Sequence, residues 1–277
     1  MKVIIVGPAH PYRGGIAAFT DRLATEFVAE DVDVELYTFT LQYPAFLFPG
    51  KTQYSDGPAP ENIKIFRKIN SVNPLTWIKT AKEIRNKKPD IVLFAYWMSF
   101  FAPCYSRMAK IISKNKTTRC IGLVHNMLPH EKSVLDILFS PRFVKSMDAF
   151  VALSKSVLED VSKLDKKSKP KLFSPHPLYD HYGDREDRTL ALSSLYLDDR
   201  YNYLLFFGLI REYKGLDLLL KAMGDERIDN YPVKLIVAGE FYEKKEPYLQ
   251  LIDDYKINDK VIICDKYIPD EEVKNFF

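Results

Sequence analysis

A short apolar run that leads through a cationic loop into an amphipathic helix constrains this chain more than any other stretch. Residues 203–207 form the run, Gly208 ends it, and the loop carries Arg211 and Lys214. A helix with apolar residues at helical spacing begins near Gly215. In an open α/β sheet such a loop lies at the carboxyl ends of the strands, where helix N–H groups can face an anion. The pattern indicates a diphosphate site; a solvated loop before a core helix is the alternative.

The same order of strand, loop and helix opens the chain. Residues 2–6 read as a strand, and Gly14 and Gly15 precede a helix that runs to about Ala29. Adjacent glycines let backbone N–H groups approach a ligand closely, although a plain turn into the helix is the alternative. The chain has no G-x-G-x-x-G, and no Gly-Lys-Ser/Thr directly follows Gly14 and Gly15, so this stretch is neither a dinucleotide fingerprint nor a P-loop.

Strands and helices alternate along the rest of the chain, which predicts an α/β fold. The predicted strands are 32–39, 63–66, 90–96, 120–124, 149–153, 233–238 and 261–263, and the predicted helices are 74–86, 99–114, 155–164 and 246–255. The polar stretch 181–200 carries turn signals. We interpret it as a linker between an N-terminal domain, 1–180, and a C-terminal domain, 201–277.

Composition and charge narrow the class of protein. Lys and Arg number 40 and Asp and Glu 37, and this net charge of +3 is too small to indicate nucleic-acid binding. The three cysteines are far apart, which suits a reducing compartment and not a disulfide framework. Neither a signal peptide nor a membrane-spanning run is recognisable. These features predict a cytoplasmic protein, with the inner face of the membrane as a second location.

Two further stretches draw attention as interaction sites. His125 follows the strand 120–124, where it could donate to a hydroxyl or stabilise charge, and a structural histidine is the alternative. The spacing of His125, His130 and Glu131 fits no zinc motif. The loop 40–54 is rich in large apolar residues, which suggests contact with an acceptor or with lipid headgroups. A flap packed on its own domain is the alternative.

Three motifs together resemble a known family. The sequence Gly-Leu-Ile-Arg-Glu-Tyr-Lys-Gly-Leu-Asp at 208–217 resembles the start of the donor domain in family 4 retaining glycosyltransferases, which have the GT-B fold. Gly-Gly-Ile at 14–16 is similar to their acceptor-domain loop, and His-Asn-Met-Leu-Pro-His-Glu at 125–131 is similar to a donor-sugar motif in some members. The usual arginine directly follows the strand glycine; here Leu209 holds that place.

The resemblance implies an architecture and a set of site residues. It implies two Rossmann-like domains that face each other across a cleft. The second is expected to be incomplete, that is, C-terminally truncated, because the family's pair of glutamates does not occur after residue 200. The catalytic residues are expected to be His125, Arg211 and Lys214. The residues expected to contact the nucleotide-sugar are Gly14, Gly15, Glu240 and Tyr267; a surface carboxylate and a packing tyrosine are the alternatives for the last two.

The resemblance also implies an activity. A sugar would move from a nucleotide-diphosphate-sugar to the hydroxyl of a carbohydrate or lipid-linked acceptor, with retention, in bacterial polysaccharide or glycolipid assembly. No metal and no other cofactor are expected, and peripheral membrane contact would involve the loop 40–54. Two alternatives stay open: another sugar-nucleotide enzyme on a similar fold, and a non-catalytic binding module or inactive fragment.

Overall fold

The computed structural model describes residues 1–44, 52–55, 57–128, 134–178 and 182–277. They form two compact units, and the chain passes from the first to the second between Pro177 and Leu178. Residues 182–200, interpreted above as a linker, are part of the second unit. They contain a helix, Arg188–Ser194, and Tyr182 and Leu197 pack against a hydrophobic cluster of the second unit that contains Ile236 and Ile268.

The first unit is built on a parallel sheet of seven strands. These strands are β1 Lys2–Val6, β2 Asp33–Leu41, β3 Lys64–Asn70, β4 Ile91–Tyr96, β5 Arg119–Val124, β6 Ala149–Ala152 and β7 Lys171–Phe173. They lie side by side in the order β3-β2-β1-β4-β5-β6-β7. The helices are α1 Gly15–Ala29, α2 Pro74–Lys87, α3 Ala102–Ile112, α4 Val134–Ser146 and α5 Lys155–Leu164.

The second unit repeats this architecture on a smaller scale. Its strands, β8 Asn202–Phe207, β9 Val233–Ala238 and β10 Val261–Cys264, are parallel and lie in the order β10-β9-β8. Its helices are α6 Arg188–Ser194, α7 Leu216–Met223, α8 Glu246–Asp254 and α9 Asp270–Val273.

The central strands of both sheets are buried because helices cover parallel sheets on both faces. Ile4 and Ile5 of β1 point to opposite faces, and both are fully buried. The aromatic-rich segment before and within α3 belongs to the core, since Phe101, Tyr105 and Met108 are fully buried. Because these strands are buried in the core, they consist of apolar runs, and such runs in the sequence predicted most of the strands correctly.

The structure differs from the predicted elements at α4 and at α3. Sequence reasoning did not anticipate α4, whose interior carries Pro141, a residue that normally argues against a helix. The helix predicted at 99–114 is shorter than expected, because single 3₁₀ turns, Ser99–Phe101 and Ser113–Asn115, flank α3. Tertiary packing therefore overrode local signals at these places.

The loop 40–54 is attached to the first unit at the ends that the structure describes. Tyr43 accepts a hydrogen bond from Trp97 Nε1 at 2.8 Å, and its ring lies 5.5 Å from that of Phe101. At the other end, the Ser55 N–H donates to the Pro11 carbonyl at 2.8 Å. Both ends pack on their own unit, and residues 45–51, on which the proposed acceptor or lipid contact largely falls, lie outside the described residues.

Candidate functional site

Backbone hydrogen bonds join the loops that follow β8 and β9. The Ile210 N–H donates to the Glu240 carbonyl at 2.9 Å, and the Tyr242 N–H donates back to the Ile210 carbonyl at 3.0 Å. Gly239 has a φ of 142°, and a Cβ there would lie 2.1 Å from the Gly208 oxygen. Only glycine permits so close an approach of two backbones. The two loops thus form one platform at the carboxyl edge of the second sheet.

Two cationic side chains stand on this platform. The Arg211 guanidinium carbon lies 3.8 Å from the ring centroid of Tyr242. Lys214 Nζ lies over Gly208, 3.6 Å from where a Cβ on that glycine would be. Desolvation and the charge of Arg211 both lower the pKa of Lys214. Neither cation forms an ion pair with a carboxylate of the described residues, so their charge is available to an anion.

The helix behind these cations begins as the sequence predicts. Gly215, in the left-handed region at φ 76°, ends a 3₁₀ turn, Glu212–Lys214, and is the N-cap of α7. Leu216, Leu220 and Met223 anchor α7 in the second core. The free N–H groups of its first turn add a partial positive charge beside Lys214. This arrangement can bind a diphosphate.

Glu240 and Tyr267 occupy neighbouring positions at the same edge. Glu240 is separated from the end of β9 by Gly239 and lies in the loop that is bonded to the Arg211 loop. Tyr267 follows β10, the strand on the other side of β9, and 37% of its surface is exposed. Their places in the fold allow contact with a nucleotide, and the roles implied by the resemblance remain predictions.

In the first unit, His125 is largely buried at the carboxyl end of β5. Its backbone N–H donates to the Tyr96 carbonyl at 2.8 Å, and its ring meets the Phe19 ring of α1 edge-on at a centroid distance of 4.9 Å. Nε2 is buried and has no hydrogen-bond partner among the described residues. Burial, followed by the nearby His176, lowers the pKa of His125 to about 4. The ring is therefore neutral near pH 7 and can exchange hydrogen bonds with an uncharged ligand group.

His176 is a neighbour that sequence reasoning did not identify as a site residue. Its ring lies 5.9 Å from that of His125 and 5.0 Å from that of Phe19, and it is exposed. It follows β7, so the rule that places polar residues at the carboxyl ends of parallel strands could have suggested it. Phe19 itself gave no signal, because its contacts with both imidazoles depend on the tertiary packing of α1.

Gly14 and Gly15 lie at the start of α1, as the sequence predicts. Gly14 is the N-cap at φ 109°, and no side chain caps the helix. Further along α1, the carboxylate of Asp21 accepts a hydrogen bond from the His10 N–H at 3.1 Å. Burial raises the pKa of Asp21 to about 7. Asp21 thereby holds the loop between β1 and α1 against the helix, a contact that the sequence did not reveal.

The described residues contain no group of three or more His, Cys, Asp or Glu side chains arranged to hold a metal ion. Among those same residues, no helix has the length and apolar character needed to cross a membrane. His130 and Glu131 lie outside the described residues. Of the predicted site residues, Gly14, Gly15 and His125 belong to the first unit, and Arg211, Lys214, Glu240 and Tyr267 belong to the second.

Comparison with known families divides the chain in a similar way. The family described as Glycosyltransferase Family 4 matches residues 13–175, more than half of the chain. The family described as Glycosyl transferases group 1 matches residues 187–277. Both matches agree with the resemblance seen in the motifs.

Individual proteins extend the comparison. O-antigen chain mannosyltransferase C of Escherichia coli is 24% identical over 229 residues, which cover 82% of this chain and 57% of that protein. The chain thus spans little more than half the length of this relative. Sucrose-phosphate synthase of Thermosynechococcus elongatus has a TM-score of 0.71 at 12% identity, over 100% of this chain and 73% of that one. HepE of Anabaena, solved with UDP-glucose, has a TM-score of 0.67 at 12% identity, over 99% of this chain and 71% of that one. These likenesses confirm the predicted GT-B-type α/β fold.

Proposed function

We propose, because this chain belongs to glycosyltransferase family 4, that the protein transfers a sugar from a nucleotide-diphosphate-sugar to an acceptor hydroxyl. The second unit would bind the diphosphate of the donor. The first unit would bring His125 and the N–H groups near Gly15 to the donor and the acceptor.

The pair of cations on the second platform is the observation that carries this proposal. Arg211 and Lys214 have no carboxylate partner among the described residues, and the N-terminus of α7 lies beside them. A departing nucleoside diphosphate gains negative charge as its bond to the sugar breaks. Fixed positive groups that face this developing charge stabilise the transition state, often as the largest single catalytic contribution.

The transfer balances without a further reactant. The bond from the anomeric carbon to the diphosphate oxygen breaks, and its electron pair stays with the diphosphate. The acceptor oxygen forms the new bond to the anomeric carbon, and its proton passes to the departing phosphate. Neutral His125 would hold a sugar hydroxyl by a hydrogen bond, since its pKa of about 4 rules out a positive charge near pH 7. We further propose that the configuration is retained, as the family resemblance implies.

The similar proteins suggest which substrates to test first. One is an O-antigen chain mannosyltransferase, and another was solved with UDP-glucose. We propose that this protein takes a hexose from a nucleotide-diphosphate donor and adds it to a carbohydrate or lipid-linked acceptor in polysaccharide assembly. GDP-mannose and UDP-glucose are therefore the first donors to examine.

Binding of nucleoside diphosphates tests the proposal directly. Thermal unfolding of the full-length gene product would be followed with UDP, GDP, ADP, dTDP and NAD, each at large excess. A ligand at about 100 times its Kd stabilises the native state by roughly 2.7 kcal/mol, which is readily visible as a rise in Tm. We expect one nucleoside diphosphate to raise the Tm of the wild type, and the rise to be lost in Lys214→Ala.

Lys221→Ala is the matched control, because Lys221 is an exposed lysine in the last turn of α7, away from the platform. It should keep the full response. Turnover would then be measured with the sugar nucleotide of the selected base, and the anomeric configuration of the product would be read by NMR. A response to NAD alone would contradict the transferase proposal. A folded protein that answers to none of the five ligands would favour a non-catalytic module.

A further inference from the structure

The position of Arg211 differs from the family pattern in a way that the structure explains. In the pattern the arginine directly follows the strand glycine, but Leu209 occupies that place here and Arg211 comes two residues later. A side chain displaced along a loop needs a new support to reach a defined position. The aromatic ring of Tyr242, on the neighbouring loop, lies against the guanidinium at 3.8 Å.

We propose that Tyr242 is a positioning residue that holds Arg211 in place to bind the diphosphate. This inference rests on the proposed function, since it assigns a role within the same diphosphate site. A guanidinium that stacks on an aromatic face loses little hydrogen-bonding capacity, because its N–H groups lie in its own plane and point outward to other acceptors. Tyr242 would thus fix the plane of the cation and leave its donors for the phosphate oxygens.

The backbone around Tyr242 is rigid enough for this task. Its N–H donates to the Ile210 carbonyl, directly before Arg211, so the two residues belong to loops that are bonded to each other. Ile210 also forms a parallel bridge with Phe241, directly before Tyr242. Ile210 is almost completely buried, and Phe241 packs against the same core. The stacked pair therefore stands on two residues that the second core holds.

Among the described residues, no carboxylate competes with the Tyr242 ring for the Arg211 guanidinium. Arg211 has no ion pair with a carboxylate there. The ring of Tyr242 is consequently the contact that determines where the guanidinium lies, and its removal would leave a long, flexible side chain with several rotamers. Such a side chain must lose more conformational entropy when it binds a phosphate.

A double-mutant cycle on the full-length protein separates this role from a structural one. The probe is the nucleoside diphosphate that the wild type binds, chosen from UDP, GDP, ADP and dTDP, and its Kd is measured by calorimetry. Tyr242→Leu should raise the Kd about three- to tenfold, in line with the usual strength of cation–π contacts. Tyr242→Phe keeps the aromatic face and should stay within about twofold of the wild type.

The decisive arm places both substitutions together. In an Arg211→Met background, Tyr242→Leu should cause no further loss, because Tyr242 acts only through Arg211. Tyr231→Leu, at an exposed tyrosine of the same unit, is the control for general effects of the substitution. If Tyr242→Leu raises the Kd by the same factor in the wild-type and Arg211→Met backgrounds, the inference is overturned. A Tyr242→Phe variant that binds as weakly as Tyr242→Leu would overturn it as well.

The proposed function and this inference fail in different ways. If the wild type binds none of the four nucleoside diphosphates, the proposed function fails before Tyr242 is tested. If the wild type binds one of them and Tyr242→Leu binds it equally well, only the role of Tyr242 is wrong.

Discussion

The two units use the same order of strand, loop and helix, yet they surround their candidate sites with different chemistry. In the first unit the site residue His125 is largely buried against Phe19, with a second imidazole, His176, nearby. In the second unit Arg211 and Lys214 stand on a platform of two loops, and Lys214 is exposed. One environment suits neutral groups such as hydroxyls, and the other suits an anion.

This difference shows that burial, and not the fold, decides the charge of each site. Burial lowers the pKa of His125 to about 4 and raises the pKa of Asp21 to about 7, so both tend to be neutral in the first unit. In the second unit the candidate site instead presents two neighbouring cationic side chains, Arg211 and Lys214, and Lys214 is exposed. The same supersecondary unit can therefore serve either a neutral or an anionic part of a substrate.

The two units can be followed separately in one experiment. Both tryptophans of the chain, Trp77 and Trp97, pack against the core of the first unit. Tryptophan fluorescence thus reports unfolding of the first unit, and far-UV circular dichroism reports both. Urea unfolding followed with the two probes therefore tests whether the two units differ in this way.

The largest effect is expected from Gly239→Ala in the second unit. The new Cβ would meet the Gly208 oxygen at 2.1 Å, and a φ of 142° is strained for alanine. We expect a loss of more than about 4 kcal/mol in stability, because backbone strain and the collision add, and at least tenfold weaker binding of the nucleoside diphosphate. Circular dichroism should show that part of the chain unfolds at a lower urea concentration than in the wild type. The transition seen by tryptophan fluorescence should stay unchanged. Unchanged unfolding by circular dichroism would mean that the two loops are not held as closely as described.

A smaller effect, with a defined pH dependence, is expected from Asp21→Asn in the first unit. The pKa of this carboxyl rises from 3.8 to about 7 on folding. Between these values the folded state keeps a proton that the unfolded state has lost, so the contribution of Asp21 to stability falls as the pH rises through this range. The substituted amide would keep an acceptor for the His10 N–H but carry no charge.

The variant should match the wild type near pH 4 and exceed it at pH 8 by up to about 4 kcal/mol. The measurement is the urea midpoint by tryptophan fluorescence at both pH values. If Asp21→Asn is no more stable than the wild type at pH 8, the carboxyl is not desolvated as the structure indicates.

His125→Phe tests a pH dependence of stability that has the opposite sign to that of Asp21. The pKa of His125 falls from 6.5 to about 4 on folding, so only the unfolded state gains a proton between these values. The contribution of His125 to stability is therefore lost as the pH falls from 6.5 to 4, by up to about 3 kcal/mol, and His125→Phe lacks this dependence. Fluorescence-detected urea midpoints of the variant and the wild type at pH 4.5 and 7 measure the difference.

The Asp21→Asn/His125→Phe double variant serves as the control. Since the two groups titrate over overlapping ranges with opposite sign, removal of both should leave a flatter profile than either single variant. If the stability of the double variant depended on pH as steeply as that of His125→Phe alone, Asp21 would contribute nothing to the pH dependence.

Most of the fold could be predicted because apolar runs and their ends carry clear signals. The runs at β1, β8 and β9 gave the strands, and Gly14 and Gly215 gave the helix starts. Sequence reasoning missed α4, where Pro141 interrupts the pattern, and took the segment containing α6 for a linker. Both helices depend on packing partners that are distant in sequence, and local propensity cannot supply this information.

The residues of the candidate site were also only partly predictable from the sequence. Arg211, Lys214 and His125 became candidates because polar residues at the ends of strands follow from topology, and the family resemblance implied their roles. The significance of His176, Asp21 and Tyr242 comes from contacts between separate elements: ring against ring, carboxylate against backbone and ring against guanidinium. Their meaning emerges only when the chain is folded.

The smallest effect is expected from Gly14→Ala, the counterpart of Gly239→Ala in the first unit. At φ 109° and ψ 162°, Gly14 occupies a region that is essentially open only to glycine. Among the described residues, apart from the two chain neighbours of Gly14, no atom lies within 4 Å of a Cβ built there. Alanine would therefore suffer backbone strain without a collision, and part of this cost is offset because alanine also restricts the unfolded chain. We expect a loss of about 1 kcal/mol by tryptophan fluorescence. A loss as large as that of Gly239→Ala would mean that the two glycine loops are constrained alike, and the contrast between an open first loop and a tightly bonded second platform would then fail.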